Sequence, residues 1–137
     1  MGVDFGFARI GIAVVDAGHA FPRPKPPISA AGALKKDARA LYDAAAQEEA
    51  DAIVLGLPLE PDGAAGRMAR IVRQLAGHIE ALGRPVYLVD ERLTSIEAED
   101  ALRQEPLRAS ERDRRRDGEA ACRILERFLA AGGQTSQ

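Results

Sequence analysis

Three places in this 137-residue chain put a carboxylate where burial makes it costly. Asp4 sits inside the apolar opening GVDF, Asp90 and Glu91 close the apolar run PVYLV, and Asp117 starts a stripe that continues through Ala121, Ile124 and Phe128. Such a carboxylate needs a hydrogen bond, an ion pair or a metal. Each site has a plainer reading of its own. Asp4 can organise the turn that follows it, Arg92 can pair with Asp90 or Glu91, and Asp117 can cap the last helix. Brought together, however, the acids would repel one another unless positive charge lay between them. A hard divalent cation, Mg²⁺ or Mn²⁺, suits carboxylate oxygen and leaves room for water and substrate phosphate. In a paired-metal site, one ion activates a water and the other stabilises the leaving oxygen of an in-line phosphoryl displacement. His19 and His78 form no ligand-like pair and Cys122 adjoins core Ala121, which argues against zinc.

A second feature is the run RASERDRRR, where Arg108, Arg112, Arg114, Arg115 and Arg116 outnumber Glu111 and Asp113. Alone it reads as a solvated loop; beside an acidic metal site it would hold a phosphodiester backbone by charge. The formal net charge of −2 argues against a protein that binds nucleic acid over its whole surface. The lone cysteine cannot form an internal disulfide, no signal-like segment opens the chain, and no apolar run reaches membrane-spanning length. A soluble cytoplasmic protein with no membrane partner is therefore expected.

The elements that must position these groups follow from periodicity. GVDF and RIGIAVV form a hairpin, with Gly6 and Gly11 shaping it through their flexibility. The proline-rich stretch after it permits at most an edge strand. Residues 34–46 and RMARIVRQLAGHIEALG carry apolar side chains at helical spacing, the second ending at Gly83. DAIVLGLP and PVYLVDE read as buried strands. Thr94 and Glu97 form a capping box that opens a further helix, and DGEAACRILERFLAAGG forms the last one. An aromatic fraction of 4% leaves the core to Ala, Val, Ile and Leu. The expectation is one α/β domain over residues 1–133 and a disordered tail over 134–137. Strands joined through helices pair in parallel, and sites in such sheets lie beyond the strands' carboxyl ends. Asp4, the GLP exit and Asp90-Glu91 all fall at that edge.

With these motifs in hand, the sequence resembles the YqgF/RuvX family of RNase H-like nucleases over nearly its whole length. VDFGFARIGIAV resembles the opening D-x-G-x-x-R-I-G strand and hairpin, and IVLGLPLEPDGAAG the G-L-P-L-x-x-D-G loop. VDERLTSIEAE resembles the D-E-R-L-[ST]-x-x-E-A segment, and DGEAACRILERFL the closing helix. The resemblance implies an RNase H-like mixed five-stranded sheet, starting as an antiparallel hairpin and continuing with parallel strands, flanked by helices. It implies Asp4, Glu91 and Asp117 as metal-binding catalytic carboxylates, with Asp90 a neighbour that could join them. Arg9, Asp62, Arg92 and Thr94 take the positions of site-shaping or substrate-contacting residues. Phe7 and Ala8 stand where the family often has Thr-Lys. The implied activity is metal-dependent hydrolysis of structured nucleic acid, either at the 5′ end of pre-16S rRNA or at Holliday junctions. Branched DNA, structured RNA or both are the expected partners, and symmetric junction cutting would call for a homodimer. A non-catalytic binding module in ribosome assembly or transcription is the competing reading. A phosphotransferase reading of the Asp-x-Gly opening fits poorly, since such proteins duplicate the fold and need a far longer chain.

Overall fold

Apolar residues at both phases of the strand segments demand cover on both faces, and the fold supplies it with helices above and below one sheet. A computed structural model describes residues 1–16, 21–59, 62–63, 65–91 and 109–132, excluding the side chains of 109–116. The elements in order are β1 (Gly2–Asp4), β2 (Arg9–Val14), β3 (Arg23–Ser29), α1 (Leu34–Gln47), β4 (Ile53–Leu57), α2 (Arg67–Ala81), β5 (Val86–Asp90) and α3 (Ala109–Ala130). They form a five-stranded sheet of order β3-β2-β1-β4-β5. β1 pairs antiparallel with β2 and parallel with β4, and β4 pairs parallel with β5. This is the expected mixed sheet. β3 lies at the edge, where Pro24, Pro26 and Pro27 withhold no donor from a central ladder. The capping-box segment at 94–102 and the tail at 134–137 lie outside the described residues.

Alternation along each strand sorts the side chains into two layers. Val3, Ile10, Ile12, Ile53, Leu55 and Leu88 pack with Leu41 of α1 and with Val72, Leu75 and Ile79 of α2. On the other face, Ala13, Val54 and Val89 pack with Ala121, Ile124 and Leu125 of α3. Asp4 shares the phase of Gly2 and so belongs to the α3 face. Gly83, at φ 106°, follows the C-cap of α2 as its residue type predicts. Among the described residues no helix is long and apolar enough to cross a membrane.

Two expectations need correction. The last helix begins at Ala109, so Asp117 lies in its interior and is not its N-cap, and 109–116 are helix where a loop was expected. Ala, Glu and Arg in that run are strong helix formers. Gly118 suggests a break there, yet it serves close packing, since a Cβ on it would lie 2.7 Å from Cβ of Pro24. Gly11 is likewise not a flexible hinge. It sits inside β2 with no positive φ, and a Cβ there would collide with the backbone of Asp117.

Gly11→Ala should therefore lower stability by about 1–3 kcal/mol through overpacking. Gly77→Ala, in α2 with open space around the missing side chain, should raise it by about 0.5–1 kcal/mol. Urea denaturation reads both signs. A Gly11→Ala protein as stable as wild type would show that the helix does not ride directly on β2.

Candidate functional site

The carboxyl end of the central strands, on the α3 face, gathers the acids. β1 ends at Asp4, whose register partner in β2 is Gly11. Gly11 is in turn covered by the α3 backbone at Asp117. From the other side, the backbone N–H of Glu91 donates to the carbonyl of Leu57 at 3.1 Å, carrying the β5 ladder one residue past Asp90. That extra residue reverses the face. Asp90 shares the phase of Val86 and Leu88, whereas Glu91 shares that of Tyr87 and Val89 and turns toward α3. Alternation thus separates the two neighbours that the sequence alone left open.

Glu91 reaches inward across Gly56 of β4. A Cβ on Gly56 would collide with Oε2 of Glu91 and lie 2.6 Å from Cδ1 of Ile124. Sequence reading took Gly56 only as part of a sharp strand exit; the missed signal was a glycine inside an otherwise large-residue buried strand. Oε2 of Glu91 is buried without a hydrogen-bond donor. The Glu91 carboxyl donates to the Asp4 carboxylate, and burial, followed by the Asp4 charge, pushes Glu91 up to about 9. Burial also raises Asp4 to about 6, partly opposed by the Glu91 hydrogen bond and reinforced by the charge of Asp117. The pair therefore holds a proton at neutral pH.

Asp117 is compensated differently. Nε of Arg9 donates to its Oδ2 at 2.7 Å, with the Arg9 side chain 45% exposed and that of Asp117 17% exposed. Among the described residues, no three His, Cys, Asp or Glu side chains are grouped closely enough to chelate an ion as they stand. The donor set nevertheless fits a hard cation. It is carboxylate oxygen, one of its atoms is buried without a donor, and Asp117 is already held by a positive charge. Of the other sequence candidates, Arg92, Thr94 and Arg108 lie outside the described residues. Arg112, Arg114, Arg115 and Arg116 fall on the N-terminal half of α3, leading up to Asp117, with their side chains likewise outside the description.

The profile of the family described as "RuvX: Holliday junction resolvase" matches residues 1–131. A protein of Anaeromyxobacter dehalogenans (strain 2CP-C), named "Putative pre-16S rRNA nuclease", is 41% identical over 130 residues, covering 94% of each chain. One of the same name from Nitratidesulfovibrio vulgaris (strain DP4) is 40% identical over 136 residues, covering 95% of this chain and 92% of its own. Among solved structures, T. thermophilus RuvC in complex with a Holliday junction substrate superimposes with a TM-score of 0.59 at 16% identity. The match covers 98% of this chain and 96% of that one. This likeness establishes the RNase H-like fold.

Because Asp4 and Glu91 bind protons more tightly folded than unfolded, they favour the metal-free fold fully below the ordinary carboxylate range. That contribution is lost as pH rises through about 6 and then about 9. Glu91→Gln cannot ionise, so its Tm relative to wild type should rise steadily from about pH 5 to about pH 9 in chelator. The difference cancels other titrating groups, such as the terminal ammonium, which burial lowers to about 6. A difference independent of pH would refute the buried-pair description.

Proposed function

Since the chain belongs to the RuvX family, we propose that it is a nuclease that hydrolyses phosphodiester bonds in structured nucleic acid, with divalent-metal-dependent chemistry at Asp4, Glu91 and Asp117. The observation that carries this reading is the approach of these acids from β1, the end of β5 and α3 to one sheet edge. There the Asp4–Glu91 pair retains a proton and an unsatisfied oxygen.

Asp4, Glu91 and Asp117 would hold Mg²⁺ or Mn²⁺, with Asp90 on the opposite face contributing charge at longer range. A bound ion supplies an activated water and charge stabilisation for the leaving oxygen. The remaining chemistry is the chain's own. β1 and β4 fix the Asp4 and Glu91 carboxylates from the buried side, and loss of the proton they share frees oxygen for the cation. Arg9 orients Asp117 and places a guanidinium beside the site, where it attracts phosphate. The arginines of 112–116 would extend that positive field along α3.

The family description names Holliday junctions, and the relatives are named for pre-16S rRNA. Both are structured, backbone-rich substrates, and action in the cytoplasm suits either. Symmetric junction cutting would require a homodimer, whereas trimming an RNA end needs one active site.

Purified protein with Mn²⁺ should cleave a four-way junction, a pre-16S leader RNA or both. Asp4→Asn, Glu91→Gln and Asp117→Asn should each reduce the rate at least about a hundredfold, with binding retained. Equal product from wild type and the Asp117→Asn protein would overturn the assignment.

A further inference from the structure

Among the described residues, Phe7 is a large apolar side chain left 64% exposed close in sequence to Asp4. It occupies the β1–β2 turn three residues after Asp4 and two before Arg9. Three residues of chain span at most about 11 Å, roughly the length of three stacked nucleotides at about 3.4 Å each. The ring is also backed. It stands edge-on to buried Phe5, with centroids 6.2 Å apart and planes at 77°.

Beneath it lies a largely apolar cavity of about 150 Å³, walled by Phe5, Phe7, Leu34 and Ile71, by the Gly32-Ala33 loop and by Asp37. The loop that forms its far wall is tied down. Asp37, buried in the first turn of α1, accepts a 2.7 Å hydrogen bond from the backbone N–H of Ala31, and the N–H of Ala30 donates to the carbonyl of Ala8. The ring therefore stands on the turn that leaves β1 just past Asp4, with the slot under it on the α1–α2 side of the sheet and the acids and Arg9 around the same strand end on the α3 side. An exposed aromatic face so placed suits a flat apolar ligand attached to an anionic backbone. Those are the properties of an unpaired nucleobase in a nucleic-acid strand.

We propose that Phe7 is a positioning residue on which an unpaired base flanking the scissile phosphate stacks. The inference rests on the nuclease reading for where the backbone lies. Base–aromatic stacking is tolerant of sequence and requires a base freed from its pair, so Phe7 selects loops, ends and junction openings over continuous duplex.

Binding to 2-aminopurine-labelled single-stranded RNA and DNA, in an Asp4→Asn background with Mn²⁺, tests this without turnover. Stacking should quench the probe. Phe7→Ala should abolish the quench and weaken binding to the single strands about tenfold, leave uninterrupted duplex binding unchanged, and be rescued by Phe7→Trp. Phe21→Ala is the control, since Phe21 is even more exposed, at 83%, but adjoins the opposite end of β2. The RNA and DNA arms show which strand supplies the base. Unaltered quench and affinity in Phe7→Ala would overturn the inference while leaving cleavage by the Asp4-intact enzyme as a separate result. So would a monomer–dimer equilibrium lost in Phe7→Ala with no change in oligonucleotide binding, because Phe7 would then be covered by a second copy. Stacking without any cleavage in the wild type would instead refute the nuclease reading and keep Phe7 as a base contact.

Discussion

Everything at this site depends on how closely α3 can lie on the sheet. A helix normally stands off a sheet by the depth of its side chains. Here the strand residues beneath it include Gly2 and Gly11, where any Cβ would strike Leu125 and Ala121 or the backbone of Asp117. Removing those side chains lowers the helix onto the strands, and Asp117 comes down with it to the edge that Asp4 occupies. Gly56 performs the corresponding service for Glu91, clearing a path across β4. The apolar stripe of Ala121, Ile124 and Leu125 holds the helix in place once it is there.

That geometry creates an electrostatic problem that the chain solves only in part. Asp117 has Arg9, but Asp4 and Glu91 face each other in a low-dielectric pocket and share a proton. A fold selected only for stability would place apolar groups there. Retaining two acids and an oxygen without a donor leaves an affinity for positive charge built into the fold. On the proposed reading, stability surrendered at the sheet edge is what would equip the site to take up a cation and phosphate, a common arrangement at functional sites.

Much of this was legible beforehand because it follows from period. The strands, α1 and α2 fall where alternation and helical spacing put them, and the edge position of β3 follows from its prolines. Asp4 was readable from Val3 and Phe5 as a carboxylate costly to desolvate, while its turn-forming alternative stayed open; the structure leaves it half-buried. The choice between Asp90 and Glu91 was not, since it depends on how many residues β5 runs before leaving the ladder. Nor was the true start of α3. Asp117-Gly118 looks like a helix boundary, and only the proximity of Pro24 explains a glycine inside the helix. The pairing of Arg9 with Asp117 spans 108 residues and leaves no local pattern to read.

The central claim is that Asp4, Glu91 and Asp117 form one cation site. Anomalous diffraction from crystals soaked in Mn²⁺ measures this directly. The account predicts a manganese peak in contact with the carboxylates of Asp4 and Glu91, with Asp117 drawn from Arg9 toward it, and loss of that peak in Asp4→Asn crystals. Manganese bound only elsewhere on the molecule, with the Asp4–Glu91 hydrogen bond intact, would contradict it.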